Sequence, residues 1–182
     1  YLLYQSRHLV KLKSKIVEIP NGIDIDSEIL KISREEARRM LKLPLDTKII
    51  LFVGALCRRK GVDTLIMAIK NVVKAFPNVL FILVGIETEE TPFFKKQIKD
   101  MGLKKYVRLQ GYVSDAIKKL YYRSADLFVL PSRSEGFGIV ILEAFANALP
   151  VIVSDLPVFK ETVKEGFNGL IAKKEDPLDL AL

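Results

Sequence analysis

Residues 48–85 run KIILFVGALCRRKGVDTLIMAIKNVVKAFPNVLFILVG. Ile49–Val53 is an unbroken apolar run that stops at Gly54. Gly61–Ala75 then places Leu65, Ala68, Ile69, Val72 and Val73 at the spacing of one helix face, and Val79–Val84 is a second apolar run. Strand, loop, helix and strand therefore follow one another. The strands do not alternate apolar with polar residues, which is the mark of strands covered on both faces and hence of a parallel sheet.

Downstream the pattern continues. Helices are predicted at Pro92–Met101, Asp115–Arg123 (with Ile117, Leu120 and Tyr121 on one side), Gly138–Ala148 and Val158–Glu165. Strands are predicted at Tyr106–Leu109, Leu127–Leu130, Val151–Val153 and Leu170–Ala172. The fold class is α/β: a doubly wound, Rossmann-like, parallel six-stranded sheet with right-handed crossovers. Upstream the text is different. Residues 1–15 are basic and mixed, with a faint helical pattern in Tyr4–Leu9. Lys15–Ile19 reads as a short strand stopped by Pro20-Asn21-Gly22, and residues 23–32 read as loop. Ser33 with Glu35 and Glu36 opens a short helix that ends near Leu43-Pro44. The chain thus divides into an arm, entry strand and short helix at 1–45 and the α/β domain at 46–182.

Length and composition agree. A chain of 182 residues, 49% apolar, suits one domain with a real core and excludes a disordered chain. No run reaches the ~18 apolar residues of a membrane span. The start at Tyr1 rather than Met, in mid-pattern, predicts a piece of a longer chain. A single cysteine, Cys57, excludes an internal disulfide and a cysteine zinc site and suits a reducing compartment. The net charge of +7 favours an anionic partner without choosing among nucleic acid, phosphate-bearing small molecules and anionic lipid.

In an open α/β sheet, ligands bind beyond the carboxyl ends of the strands where strand order reverses. For order 3-2-1-4-5-6 that point lies between the first and fourth strands. The loop after the first strand holds Arg58, Arg59 and Lys60 at the mouth of a helix, where cations and a helix dipole together suit a phosphate. The loop after the fourth is Pro131-Ser132-Arg133-Ser134-Glu135-Gly136-Phe137-Gly138, with Glu143 further on. Its glycines let a ligand approach backbone N–H groups. The neighbours of Glu143 are nearly all apolar from Ile139 to Ala146, so this acid is expected to be buried and therefore paired or facing a ligand. Carboxylates in such places accept hydrogen bonds from sugar or ribose hydroxyls, or stabilise a cationic transition state. No GxGxxG follows the first strand and no GxxxxGK[ST] occurs. The one histidine, His8, lies in the arm and cannot complete a Ser-His-Asp set, and no metal cluster is visible.

These residues, in this order, resemble the C-terminal donor-binding domain of the retaining glycosyltransferases of family 4, which have the two-Rossmann GT-B fold. The resemblance runs through Ile19–Asp24, Phe52–Gly54, Lys60–Asp63, Gly111–Val113, Leu130–Ser132, Glu135–Gly138 with Glu143-Ala144, Pro150–Ile152, Ser154-Asp155, Glu161 and Asn168–Leu170. It implies a nucleotide-diphospho-sugar donor, such as a GDP- or UDP-hexose, and retaining transfer of the hexose to an acceptor hydroxyl. It implies Lys60, with the Gly138 and Ile139 N–H groups, on the donor diphosphate. Glu135, Gly136 and Phe137 would meet the sugar, Glu143 the ribose, and Gly111 and Tyr112 the base. Glu135 and Lys60 are then the catalytic residues, and neither a metal nor another cofactor is required.

Two positions depart from the family pattern. Ala55 stands where the family usually has Arg, and Arg58 or Arg59 is expected to substitute; Pro157-Val158 stands where glycines are common. The resemblance also implies an N-terminal domain for a carbohydrate or lipid-linked acceptor, and terminal helices, outside these residues. The chain alone is then expected to bind nucleotide weakly and not to catalyse transfer. The setting implied is cytoplasmic, with peripheral contact to the cytoplasmic face of a membrane open to a basic surface. The competing readings are a GT-B sugar-nucleotide epimerase or phosphorylase, a non-catalytic nucleotide-binding module, and a nucleic-acid binder. Only charge favours the last: the chain lacks RNA-binding aromatic strands and a helix-turn-helix, so no nucleic-acid partner is expected.

Overall fold

The computed structural model describes residues 19–182. The expected helical pattern at Tyr4–Leu9, His8 and all of the entry strand but Ile19 lie outside the described residues. Ile19 itself is exposed.

Six strands form one parallel sheet: β1 (Lys48–Val53), β2 (Val79–Val84), β3 (Val107–Gly111), β4 (Leu127–Leu130), β5 (Val151–Ser154) and β6 (Gly169–Ala172). Their order is β3-β2-β1-β4-β5-β6. The order reverses between β1 and β4, where Ile50 pairs with Leu127 and Leu51 with Phe128. The apolar runs are buried as their composition requires: Ile49, Leu51, Phe52, Ile82, Leu83, Phe128 and Leu130 are wholly inaccessible. Each such large side chain contributes roughly 1.5–3 kcal/mol by leaving water.

The helices are α1 (Ile25–Glu28), α2 (Arg34–Met40), α3 (Val62–Ala75), α4 (Thr91–Asp100), α5 (Asp115–Ser124), α6 (Ile139–Ala146) and α7 (Pro157–Thr162). Helix α2 begins with a full capping box: Ser33 Oγ accepts from the Glu36 N–H, and Glu36 accepts from the Ser33 N–H. That N–H and hydroxyl hold the Glu36 carboxyl below its ordinary range. Helix α3 buries Val62, Leu65, Ile66, Ala68 and Ile69 against the sheet. Helix α2 packs on α5.

Three expectations are corrected. Residues 23–32 are not all loop, since α1 occupies Ile25–Glu28. One turn is too short to show a 3.6-residue pattern, and it is held by Lys119 Nζ donating to Ser27 O at 2.8 Å. On α5, Leu120 and Tyr121 are buried, but Ile117 is exposed, and Tyr122 beside them is wholly buried. Helix α6 is shorter than predicted, and only Ile141, Glu143 and Ala144 are buried on it; Ile139 is exposed.

Candidate functional site

The loops after β1 and β4 are packed against each other at the strand ends. The Arg133 N–H donates to Arg59 O at 2.8 Å. Gly61 joins the short 3-10 turn Arg58–Lys60 to α3 at φ +71°, and a Cβ there would sit 1.9 Å from Pro131 O. Only glycine meets both demands, and the contact fixes how closely the loops approach.

Lys60 and Glu135, one from each loop, meet in a direct ion pair, with 16% and 7% of their side chains exposed. Ser132 Oγ also donates to Glu135, at 3.0 Å. Gly136 is exposed and Phe137 half-buried beside them. Gly138 caps α6 at φ +87°, where a Cβ would lie 2.8 Å from the Phe159 ring. The first N–H groups of α6, including that of Ile139, have no acceptor within the helix and carry its positive dipole end. The sequence-derived group Lys60, Glu135, Gly136, Phe137, Gly138 and Ile139 is thus brought together at the β1–β4 switch point.

Glu143 is buried, as its neighbours require, and it is paired. Lys118 Nζ donates to its Oε1 at 2.7 Å and the Tyr122 hydroxyl to its Oε2 at 2.8 Å. Lys118 also pairs with Asp115 at 2.9 Å. Burial pushes the Lys118 ammonium down, but its bonds to Glu143 and Asp115 outweigh this and hold it above the ordinary lysine value. Burial, reinforced by the Glu143 and Glu28 carboxylates, lifts the Tyr122 phenol well above its ordinary value, so it remains a donor. Sequence reasoning missed both residues. Their i, i+4 spacing, which sets two side chains on one helix face, was the available signal.

The remaining cations separate. Arg58 turns to α4: its backbone N–H donates to Glu90 at 2.8 Å, and its guanidinium lies 3.6 Å from Glu90 and 4.9 Å from the centre of the Phe93 ring. Arg59 reaches the β4 loop, Nη1 to Ser134 O at 3.3 Å. Arg133, not singled out by its sequence context, binds Asp63 with two N–H groups at 2.6 and 2.9 Å, Glu175 at 2.6 Å and Arg58 O. Its hydrogen bonds to Asp63 lead the causes that raise the Arg133 guanidinium further above its ordinary range. Burial pushes the Asp63 carboxyl up, but the bonds and charge of Arg133 win and hold it below the usual carboxylate range. Gly111 and the exposed Tyr112 stand at the end of β3, two strands from β1.

An apolar groove of about 310 Å³ lies beside α3 and is lined by Ile50, Leu65, Phe81, Val129 and Leu180. It contains none of the residues above and offers few of the convergent polar groups that ligand sites use. Among the described residues no three His, Cys, Asp or Glu side chains come together as a metal-binding group, and no helix is long and apolar enough to cross a membrane.

Against known proteins, the family described as glycosyl transferases, group 1, matches residues 33–182. The chain is 36% identical over 176 residues to a processive diacylglycerol alpha-glucosyltransferase of Acholeplasma laidlawii, covering 92% of this chain and 51% of that protein. It is 35% identical over 174 residues to a phosphatidyl-myo-inositol mannosyltransferase of Mycobacterium leprae, covering 93% and 43%. Among solved structures, Anabaena HepE in complex with UDP and glucose aligns with a TM-score of 0.78 at 27% identity, covering 88% of this chain and 44% of that one. The chain spans about half the length of the curated relatives it matches.

Proposed function

We propose a function from one premise: this chain belongs to the group 1 glycosyl transferases. Its strand-end crevice binds a nucleotide-diphospho-hexose, with UDP or GDP as the nucleotide, for transfer of the hexose to an acceptor hydroxyl with retention. The observation that carries this reading is the meeting of Lys60 and Glu135 beside the α6 N-terminus, at the point where strand order reverses.

The chemistry follows from the placement. Breaking the bond between the anomeric carbon and the diphosphate puts negative charge on the leaving phosphate. Lys60 turns from Glu135 to that phosphate, and the Gly138 and Ile139 N–H groups add the helix dipole, so charge growing in the transition state meets groups already in place. No metal is needed for this. Arg59, which reaches from the β1 loop to Ser134 of the β4 loop, takes the part that Ala55 cannot; Arg58 is turned to Glu90 and Phe93. Glu135, released from Lys60, accepts from the sugar hydroxyls beside Gly136 and Phe137. Glu143 accepts from the ribose, and the base lies near Gly111 and Tyr112. Support for a uridine donor comes from the HepE neighbour, whose structure holds UDP and glucose. The acceptor, a carbohydrate or a lipid-linked molecule, meets the donor from outside this chain. A cytoplasmic setting with peripheral contact to anionic lipid fits the reading, since the chain carries +7.

The test is thermal unfolding of the chain with UDP, GDP, ADP and their hexose conjugates, beside Glu143→Ala. One nucleotide is expected to raise the melting temperature, because a ligand that binds only the folded state stabilises it by mass action, and Glu143→Ala is expected to lose that rise. No rise with any nucleotide overturns the reading. Ala55 favours a second reading, a non-catalytic nucleotide-binding module. A rise with the bare nucleotide and no further rise with its hexose conjugate selects it.

A further inference from the structure

The two oxygens of Glu143 are held by different donors from one helix. Lys118 takes Oε1 at 2.7 Å, and Tyr122, one turn further along α5, takes Oε2 at 2.8 Å. A carboxylate oxygen has two acceptor positions. Each Glu143 oxygen therefore spends one on α5 and keeps the other, and the carboxylate cannot rotate without losing a bond to a charged or buried donor. Lys118 is itself steadied by Asp115, which also pairs with Lys119 at 3.0 Å, and Lys119 lies 3.6 Å from Glu28. The Tyr122 ring is wholly buried and packs against Phe128 of β4 at 5.7 Å between ring centres. Nothing in the phosphate or sugar chemistry uses this arrangement. A planar acceptor pair, fixed in orientation with one free position on each oxygen, matches two adjacent hydroxyl groups.

We propose that Lys118 and Tyr122 are positioning residues that orient Glu143 toward a vicinal diol, and that they set the preference of this site for ribonucleotides over 2′-deoxyribonucleotides. The inference rests on the reading of Glu143 as the ribose contact and goes beyond it. Neither side chain touches the nucleotide. Each acts by denying Glu143 the rotations in which only one of its oxygens faces the sugar.

The test is isothermal titration of the chain with UDP and 2′-deoxy-UDP, and with the matching guanosine pair, for the unaltered protein, Lys118→Met, Lys118→Arg and Tyr122→Phe. The unaltered chain is expected to bind the ribonucleotide about tenfold more tightly than its deoxy partner, the size of one hydrogen bond to a charged group. Lys118→Met and Tyr122→Phe are expected to bring that ratio to roughly twofold while still binding, and Lys118→Arg to restore it. A merely structural role would weaken both nucleotides alike and leave the ratio unchanged. Discrimination that survives in both Lys118→Met and Tyr122→Phe overturns the inference and leaves the ribose reading standing. No discrimination by the unaltered chain overturns the ribose reading and this inference with it. Lys118 lies partly at the surface, so its variants keep the test open if Tyr122→Phe fails to fold.

Discussion

Asp126 and Glu143 are both carboxylates gripped by basic side chains, at opposite ends of the same sheet, yet they are gripped differently. Asp126 precedes β4 and takes three donors: Arg34 Nη1 at 2.9 Å on Oδ1, and Arg38 Nη2 and the Ile49 N–H, each at 2.7 Å, on Oδ2. Its own N–H donates back to Ile49 O at 2.8 Å. Arg38 is 4% exposed and donates also to Ser124 O, Leu45 O and Thr47 O. Every group there binds another part of the chain, and the result staples residues 34–49 to the start of β4. Glu143 takes two donors, both from α5 and neither from the backbone. The two carboxylates differ in how many of their acceptor positions the protein itself consumes, three at Asp126 and two at Glu143.

The largest effect is expected at Asp126, where three acceptor positions are taken rather than two. Arg38→Met leaves Asp126 and three carbonyl groups short of a donor and should cost about 3–5 kcal/mol in urea unfolding, the range for breaking a buried pair. Nucleotide affinity of the molecules that remain folded should not change. A matching loss of nucleotide affinity in those folded molecules would show that the two ends of the sheet are not independent. An intermediate effect is expected at the Arg133–Asp63 pair, which bridges the β1 and β4 loops. The Asp63 carboxyl is held below its ordinary value. Its contribution to stability is therefore complete above the unfolded value near 3.9 and is lost as the pH falls through the lower folded value. Asp63→Asn should flatten the acid limb of the stability profile below about pH 4, read by circular dichroism on acid titration. The smallest effect belongs to Arg34, whose side chain is 53% exposed. Arg34→Ala should cost no more than about 1 kcal/mol, as exposed pairs do, and a larger loss would mean that both arginines share the staple.

The sheet could be read from local text because each strand is a continuous apolar run, and burial on both faces leaves no other composition. The Rossmann-like pattern that six such strands suit supplied the strand order, the sheet has that order, and the order pointed to the loops after β1 and β4. Glu143 was legible as a buried acid from the seven apolar residues surrounding it. Its partners were not. Lys118 stands beside Lys119 on a helix whose lysines look like a solvated face, yet both are drawn in by distant partners, Lys118 by Glu143, 25 residues on, and Lys119 by Ser27 O, 92 residues back. Arg133 looked like one more loop cation because its acceptor, Asp63, lies 70 residues earlier. Arg58, Arg59 and Lys60 read as one cluster, but a tight 3-10 turn points successive side chains in different directions, so Lys60 and Arg59 reach the β4 loop while Arg58 meets Glu90. One-dimensional text shows charge density; direction comes from the backbone.

Gly61 has a consequence for how this crevice can change over evolutionary time. Because the oxygen of Pro131 lies where any side chain at 61 would begin, the gap between the two loops is set by main chain touching main chain. Its width is thereby insulated from substitutions at the positions that line it. Neighbouring loop positions such as Ala55 and Phe137 can be exchanged while the slot keeps its gauge. Substitutions are expected to accumulate at such positions in descendants of this chain, and position 61 is expected to stay glycine in all of them.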